Sequence, residues 1–152
     1  MDEPDIGERN RSSTNRLRTL ADRLSDDDLA RVIDPPWTVS ALFAHIAFWD
    51  RFVRVRWERA AADGRRTPTP VDDALGLKDE INDASLMAWL ATPGRAAIEG
   101  CVTSASAIDD LVAGVPSDVI AELVTAGQER LVDRSLHRGD HLRSLESAFP
   151  GA

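Results

Sequence analysis

The sequence predicts an all-α protein, a four-helix bundle with short extra helices. Apolar residues recur at helical spacing in several long segments, sustained strand-type alternation is missing, and prolines and glycines end the periodic segments. A chain of 152 residues is one domain's worth. We therefore predict a flexible N-terminal segment at residues 1–11 and a single helical domain at residues 12–149.

The first helix is predicted over residues 12–32, where leucines recur at roughly helical spacing. The cluster of Ser25 and three aspartates either bends this helix or restarts it as a second short one. Pro35 and Pro36 end it, because proline lacks the amide hydrogen and clashes with the preceding turn. Thr38 is a good N-cap for the next helix, which we predict over residues 39–62.

The helix at residues 39–62 carries an apolar stripe on one face. Its first half is apolar nearly all round, which indicates a central position in the bundle. The residues of the stripe are Leu42, His45, Ile46, Trp49, Phe52, Val53 and Arg56.

The second half of the chain contains three further helical segments and a short one. Residues 64–70 are predicted as a loop, residues 71–80 as irregular and residues 81–91 as a helix. Thr92 and Pro93 resemble an N-cap followed by a first-turn proline and start a helix over residues 93–113. Residues 117–124 form a short helix or turn, and the last helix is predicted over residues 128–148.

Composition excludes several classes of protein. The net charge of −8 argues against a nucleic-acid-binding surface, which needs a concentrated positive field. No apolar run is long enough to span a membrane, and the polar N-terminus lacks the apolar region of a signal peptide. Cys101 is the single cysteine, so no internal disulfide forms, and we expect it to be an inert packed thiol. The expected location is the cytoplasm.

The three histidines of the chain form a candidate metal site. His137 and His141 are four residues apart, which places both imidazoles on one face of a helix. A bundle can bring the stripe with His45 against that face and supply a third nitrogen. Three neutral imidazoles leave positions open for water or substrate, as in catalytic metal sites. An exposed histidine pair and a separate core histidine are the alternative interpretation.

Three segments resemble, in order, the motifs of the DinB-like family, which includes the N-terminal domain of mycothiol-dependent maleylpyruvate isomerase. Residues 36–50 (PWTVSALFAHIAFWD) are similar to its opening W-T-V-x-x-L-x-x-H-x-x-x-W-D. Residues 80–84 (EINDA) are similar to the entry to its third helix, and residues 136–142 (LHRGDHL) to its final H-x-x-x-H-L. The resemblance extends from about residue 12 to residue 148.

The resemblance implies an up-down-down-up four-helix bundle in which His45, His137 and His141 hold a divalent metal ion, with zinc or nickel favoured. It also implies a homodimer. Relatives include thiol transferases that use bacillithiol or mycothiol. The second domain of the isomerase is missing after the bundle, so isomerase activity itself is not expected here.

The leading functional hypothesis is a metal-dependent thiol S-transferase that joins a low-molecular-weight thiol to a small electrophile. Trp49, Arg134 and Asn82 are the candidate substrate-binding residues. Trp49 walls the pocket or packs in the core. Arg130 or Arg134 holds an acidic group of the thiol or is solvated, and Asn82 reaches the site or caps its helix. The alternatives are a non-catalytic metal-binding or stress-response protein and a structural bundle without metal.

Overall fold

A computed structural model describes residues 5–70 and 77–151 and shows the all-α fold that the sequence predicts. Four of its helices form a ring, and a further helix and several short elements complete it. In chain order the elements are α1 (Ile6–Arg23), α2 (Asp26–Ala30), β1 (Val32–Asp34), β2 (Trp37–Thr38), α3 (Val39–Ala62), α4 (Leu77–Ala91), α5 (Gly94–Ala113), α6 (Ser117–Thr125), a 3₁₀ turn (Glu129–Leu131) and α7 (Ser135–Ala148).

Helices α1, α3, α5 and α7 pack in a ring. Helix α1 contacts α5 and α7, and α3 contacts the same two helices, while α4 packs against α3. Two apolar clusters fill the interior, and on α3 they are separated by the buried Asp50, which follows Ala47 of one cluster and precedes Val53 of the other. Cys101 is fully buried, and burial raises the pKa of its thiol, as expected for an inert packed cysteine.

Helix α1 begins earlier than the predicted start at residue 12. The Asp5 side chain accepts a hydrogen bond from the Glu8 amide at 2.7 Å and caps the helix at Ile6. Within the segment predicted to be flexible, Asn10 is completely buried. Residues 1–4 of that segment lie outside the described residues. The partners of Asn10 are far away in sequence, so local pattern could not reveal its burial.

The segment between α1 and α3 contains a short helix and a hairpin. Ser25 restarts the chain as α2 through a capping box with Asp28, which decides between the two predicted alternatives. Strands β1 and β2 then pair antiparallel around the cis Pro35–Pro36 peptide. Strands of two and three residues are too short to show an alternating pattern, so they could not be predicted from periodicity.

Helix α3 has the predicted bounds. The Thr38 hydroxyl accepts a hydrogen bond from the Ala41 amide at 3.1 Å, so Thr38 is the N-cap. The next helix, α4, begins at Leu77, so residues 77–80 are helical and not irregular as predicted. Residues 71–76 of the predicted irregular segment lie outside the described residues.

Helix α5 starts as predicted near Pro93, but Thr92 is not its N-cap. Pro93 occupies that position, and the Thr92 hydroxyl donates to the Ala88 carbonyl of the preceding helix at 2.9 Å. The segment predicted as a short helix or turn at 117–124 is helix α6.

The last helix is shorter than the predicted 128–148, because Asn10 binds the backbone just before it. The Asn10 amide donates to the Val132 carbonyl at 2.8 Å, and its oxygen accepts from the amides of Arg134 and Ser135 at 2.8 and 3.1 Å. The chain therefore forms a 3₁₀ turn at Glu129–Leu131 and begins α7 only at Ser135.

Candidate metal centre

The three histidines meet at one point between α3 and α7. The Nε2 atom of His45 lies 3.1 Å from Nε2 of His137 and 3.1 Å from Nε2 of His141. The Nε2 atoms of His137 and His141 are 3.2 Å apart. The three atoms thus form a nearly equilateral triangle, and no other cluster of potential ligands was found in the described part of the chain.

Local helix geometry explains this convergence. His137 and His141 follow one another by one turn on α7, so both rings lie on one face. His45 is on α3, which packs against α7, and it is only 4 % exposed. Trp37 and Trp89 flank its ring, with centroid distances of 5.4 and 4.9 Å and steep interplanar angles. These indoles limit how far the imidazole of His45 can rotate.

The triangle fits a small divalent ion. Metal–nitrogen bonds of about 2.0–2.1 Å at tetrahedral angles separate the nitrogens by about 3.3 Å, close to the observed 3.1–3.2 Å. Three imidazole nitrogens are a donor set that zinc, nickel and several other divalent ions accept. The Nδ1 atom of His45 is buried without a hydrogen-bond partner among the described residues, so packing and not a hydrogen bond orients that ring.

All three rings are uncharged at neutral pH. Burial, followed by the neighbouring His141, lowers the pKa of His45 to about 3. Burial and then the Arg134 guanidinium hold the pKa of His137 well below its usual value, and burial lowers the pKa of His141. Neutral imidazoles keep the lone pairs that bind a metal, so the protein needs no deprotonation step to receive one at neutral pH.

A buried carboxylate anchors the helix that carries two of the histidines. Asp50 of α3 accepts from Nε of Arg134 at 2.9 Å and from Nε of Arg138 at 3.0 Å, and all three side chains are almost fully buried. Arg138 also pairs with Asp109 of α5 at 2.9 Å. Arg134 and Arg138 are spaced like the histidines, one turn apart on α7, so Asp50 fixes the rotation of α7 relative to α3.

A cleft of about 1330 Å³ opens on the histidine triangle. Its lining includes every candidate site residue that the sequence analysis selected: His45, His137, His141, Trp49, Asn82 and Arg134. A cleft of this size accommodates a small organic molecule together with groups that reach the histidines.

The three candidate substrate-binding residues differ in what they contact. The Trp49 indole donates to the Asn82 side-chain oxygen at 2.9 Å, which joins α3 to α4 across the wall of the cleft. Asn82 lies in the interior of α4, so the predicted alternative in which it caps this helix is wrong. Arg134 donates to Asp50 through Nε and to the Arg130 carbonyl at 2.8 Å through Nη1, so two of its N–H donors are already used.

Sequence reasoning missed the groups that support the site. Asp50 and Arg138 occur in the sequence motifs, but no role was predicted for either. Asn10 was not selected at all. Asp50 is 84 and 88 residues from the two arginines that it binds, and the Asn10 side chain is 122 to 125 residues from its backbone partners. Spacing rules cover only neighbours on one element. The one available signal was an acidic residue at position 50, near the apolar stripe of a central helix.

The fold and the site together define a class of protein: an all-α bundle in which three neutral histidines from two helices face a cleft. The family model of the DinB superfamily matches residues 9–149, and the chain belongs to that superfamily. No curated protein and no solved structure matches the chain. None of the described helices is both long enough and apolar enough to cross a membrane.

Proposed function

We propose that this protein binds one divalent ion, zinc or nickel, through His45, His137 and His141 and acts as a metal-dependent thiol S-transferase. The observation that carries the proposal is the triangle of uncharged Nε2 atoms, 3.1–3.2 Å apart, on the wall of a cleft. Three protein ligands leave coordination positions open, as in catalytic sites. The substrates are a low-molecular-weight thiol and a small electrophile.

Each residue has a part that follows from its contacts. The histidines hold the ion, and Trp37 and Trp89 fix the His45 ring. An ion bound there supplies a Lewis acid that lowers the pKa of a thiol and favours the nucleophilic thiolate. The hydrogen bond between Trp49 and Asn82 holds the wall against which the electrophile packs. Arg134 is paired with Asp50 and helps to position the start of α7 more than it binds substrate.

Elemental analysis of protein purified without a histidine tag tests the metal. We expect about one zinc or nickel ion per chain and a loss of most of it in His45→Ala. Ser144→Ala is the matched control, because Ser144 lines the same cleft but is not a ligand. A chain without stoichiometric metal, even after zinc or nickel is added, contradicts the proposal. Unchanged metal content in His45→Ala contradicts the choice of the third ligand.

Turnover is tested with a panel of thiols, including cysteine, glutathione, bacillithiol and mycothiol, against a fluorogenic haloalkyl electrophile. The new bond joins sulfur to carbon, halide leaves, and the thiol proton goes to solvent. We expect rates above background with at least one thiol, abolished by metal removal and by His45→Ala.

A non-catalytic metal-binding or stress-response protein is the second candidate. It is supported by the pairing of Asp140, the acid beside His141 in sequence, which accepts from Arg143 at 2.7 Å. Full metal occupancy without turnover for any thiol would establish this alternative over the transferase.

The proposal also includes a homodimer in the cytoplasm that has no nucleic-acid partner and no membrane partner. The net charge of −8 supports the absence of a nucleic-acid partner. Light scattering coupled to size-exclusion chromatography tests the dimer, and a molar mass of one chain contradicts it.

A further inference from the structure

The cleft continues along α3 far beyond the histidines. Leu42, His45, Trp49, Phe52 and Arg56 all line it. His45 and Arg56 are eleven residues apart, which is about 16 Å along a helix and almost a whole number of turns. The cleft therefore has two ends on one helix face, with His45 at the first and Arg56 at the second.

The stretch between these ends is apolar and aromatic. The rings of Trp49 and Phe52 contact each other edge to face with centroids 5.1 Å apart. Val53 of α3 and Ile81 of α4 also line this part of the molecule. Such a surface accepts an alkyl chain or a ring system and offers little to a fully hydrated ligand.

Arg56 is half-buried, whereas the other described arginines without an ion pair are exposed. Its guanidinium lies 5.9 Å from the centroid of the Phe52 ring. Arg134 and Arg138 are paired with Asp50, and Arg54 pairs with Glu58. Arg56 forms no ion pair with an acid within the ranges 5–70 and 77–151.

The surroundings of Arg56 favour an anion. Partial burial and then the nearby Arg65 lower the pKa of Arg56, so its charged form gains from an anion placed beside it. Although the net charge of the chain is −8, the described residues that line the cleft carry charges of both signs. Its charged lining residues are Arg56, Lys78, Arg130 and Arg134 against Asp34, Glu129 and Asp140. A partly desolvated guanidinium without a counter-ion binds carboxylates and phosphates strongly.

We propose that the cleft binds an elongated organic anion, with its carboxylate, phosphate or sulfonate at Arg56, its apolar middle against Trp49 and Phe52, and its other end at the histidines. Arg56 is then the residue that selects the substrate. The inference rests on the proposed function only for the end that faces the metal, since the anion site needs no ion at the histidines.

The probes are mercaptoundecanoate, which has a thiol and a carboxylate at opposite ends, and mercaptoundecanol, which has the same chain without the charge. Their affinities are measured by calorimetry with metal-free protein. We expect the acid to bind about tenfold more tightly than the alcohol, the effect of one charge-assisted hydrogen bond in a partly exposed site. Arg56→Gln should remove this preference and leave the affinity for the alcohol within about twofold.

Arg51→Gln is the matched control, because Arg51 is an exposed arginine of the same helix and does not line the cleft. It should keep the tenfold preference. Equal affinities of acid and alcohol for the wild-type protein overturn the inference, as does an unchanged preference in Arg56→Gln. Failure of mercaptoundecanoate to bind either metal-free or zinc-loaded wild-type protein also overturns it.

The zinc-loaded protein separates this inference from the proposed function. In the zinc-loaded protein, the thiol group should increase the affinity for both long probes, because a thiolate can bind zinc. Mercaptopropionate is too short to reach Arg56 and should bind wild type and Arg56→Gln equally. If zinc adds nothing but the Arg56-dependent preference persists, the metal proposal fails and the anion site stands. If zinc adds affinity but the preference is missing, the anion site fails alone.

Discussion

At the scale of single residues, the histidines combine burial with neutrality. Their convergence could be predicted from the sequence, because residues i and i+4 share one face of a helix and His45 lies on the apolar stripe of another. The sequence alone does not explain why the three rings are neutral. The structure does, because burial is the first cause of the lowered pKa in each ring.

Buried neutral histidines make the metal-free protein sensitive to acid. The folded-state pKa of His45 is lowered from 6.5 to about 3, so between these pH values the unfolded chain binds a proton that the folded chain does not. The stabilisation is present above pH 6.5 and is lost as the pH falls towards 3. We expect His45 to account for about 3 kcal/mol of the loss in unfolding free energy between pH 6.5 and about pH 4.

Urea denaturation of metal-free wild type and His45→Gln across this pH range measures the effect. The acid-sensitive carboxylates are common to both proteins, so the difference between the two curves isolates His45. Parallel curves for the two proteins would show that His45 does not titrate as described.

Asn10 is the second residue with a consequence beyond its own helix. Asn10→Ala leaves the Val132 carbonyl and the amides of Arg134 and Ser135 without their buried partner. We expect a loss of about 2–4 kcal/mol in unfolding free energy, measured by urea denaturation. Asn15→Ala, on the exposed side of α1, should cost less than about 0.5 kcal/mol. Similar costs for the two variants would contradict the importance of Asn10.

At the scale of elements, the predictability of a helix depended on whether local groups determine its ends. Helix α3 was predicted with the correct bounds because Thr38 caps it and the prolines before it exclude an earlier start. Helix α7 was predicted too long because Asn10, a residue of another helix, determines where it begins. Tertiary hydrogen bonds of this kind have no signature in the local sequence.

Helix α7 owes its orientation to Asp50. Asp50→Asn keeps the shape of the side chain but leaves Arg134 without a carboxylate and Arg138 with Asp109 alone, and we expect a loss of about 3–5 kcal/mol in unfolding free energy. Because these arginines alternate with the histidines on α7, the affinity for zinc should fall at least about tenfold in the molecules that remain folded.

The absorption spectrum of the cobalt-loaded protein is the second readout for Asp50→Asn, because it reports ligand geometry and not stability. Arg16→Gln is the control, since it breaks the ion pair with Glu146 that also holds α7 but is exposed. That variant should lose less than about 1 kcal/mol. A wild-type cobalt spectrum and wild-type zinc affinity in Asp50→Asn would show that Asp50 is structural only.

At the scale of the whole molecule, an ion bound by histidines of two helices would link metal binding to stability. An ion that binds only the folded protein raises the unfolding free energy by about 2.7 kcal/mol when its free concentration is a hundred times its dissociation constant. We expect added zinc to raise the melting temperature of wild type and to leave that of His45→Ala within about one degree. An equal rise in both proteins would mean that zinc binds elsewhere.

The ring of helices has a further consequence for how the site is made. His45 is 92 and 96 residues from its two partners, and Asn10 is 122 to 125 residues from the backbone groups it binds before α7. These are among the longest loops that the chain can close, and closing them costs entropy before any contact repays it. The three histidines therefore come together only when two distant parts of the chain have met, and a chain that lacks its last helix retains a single histidine of the three.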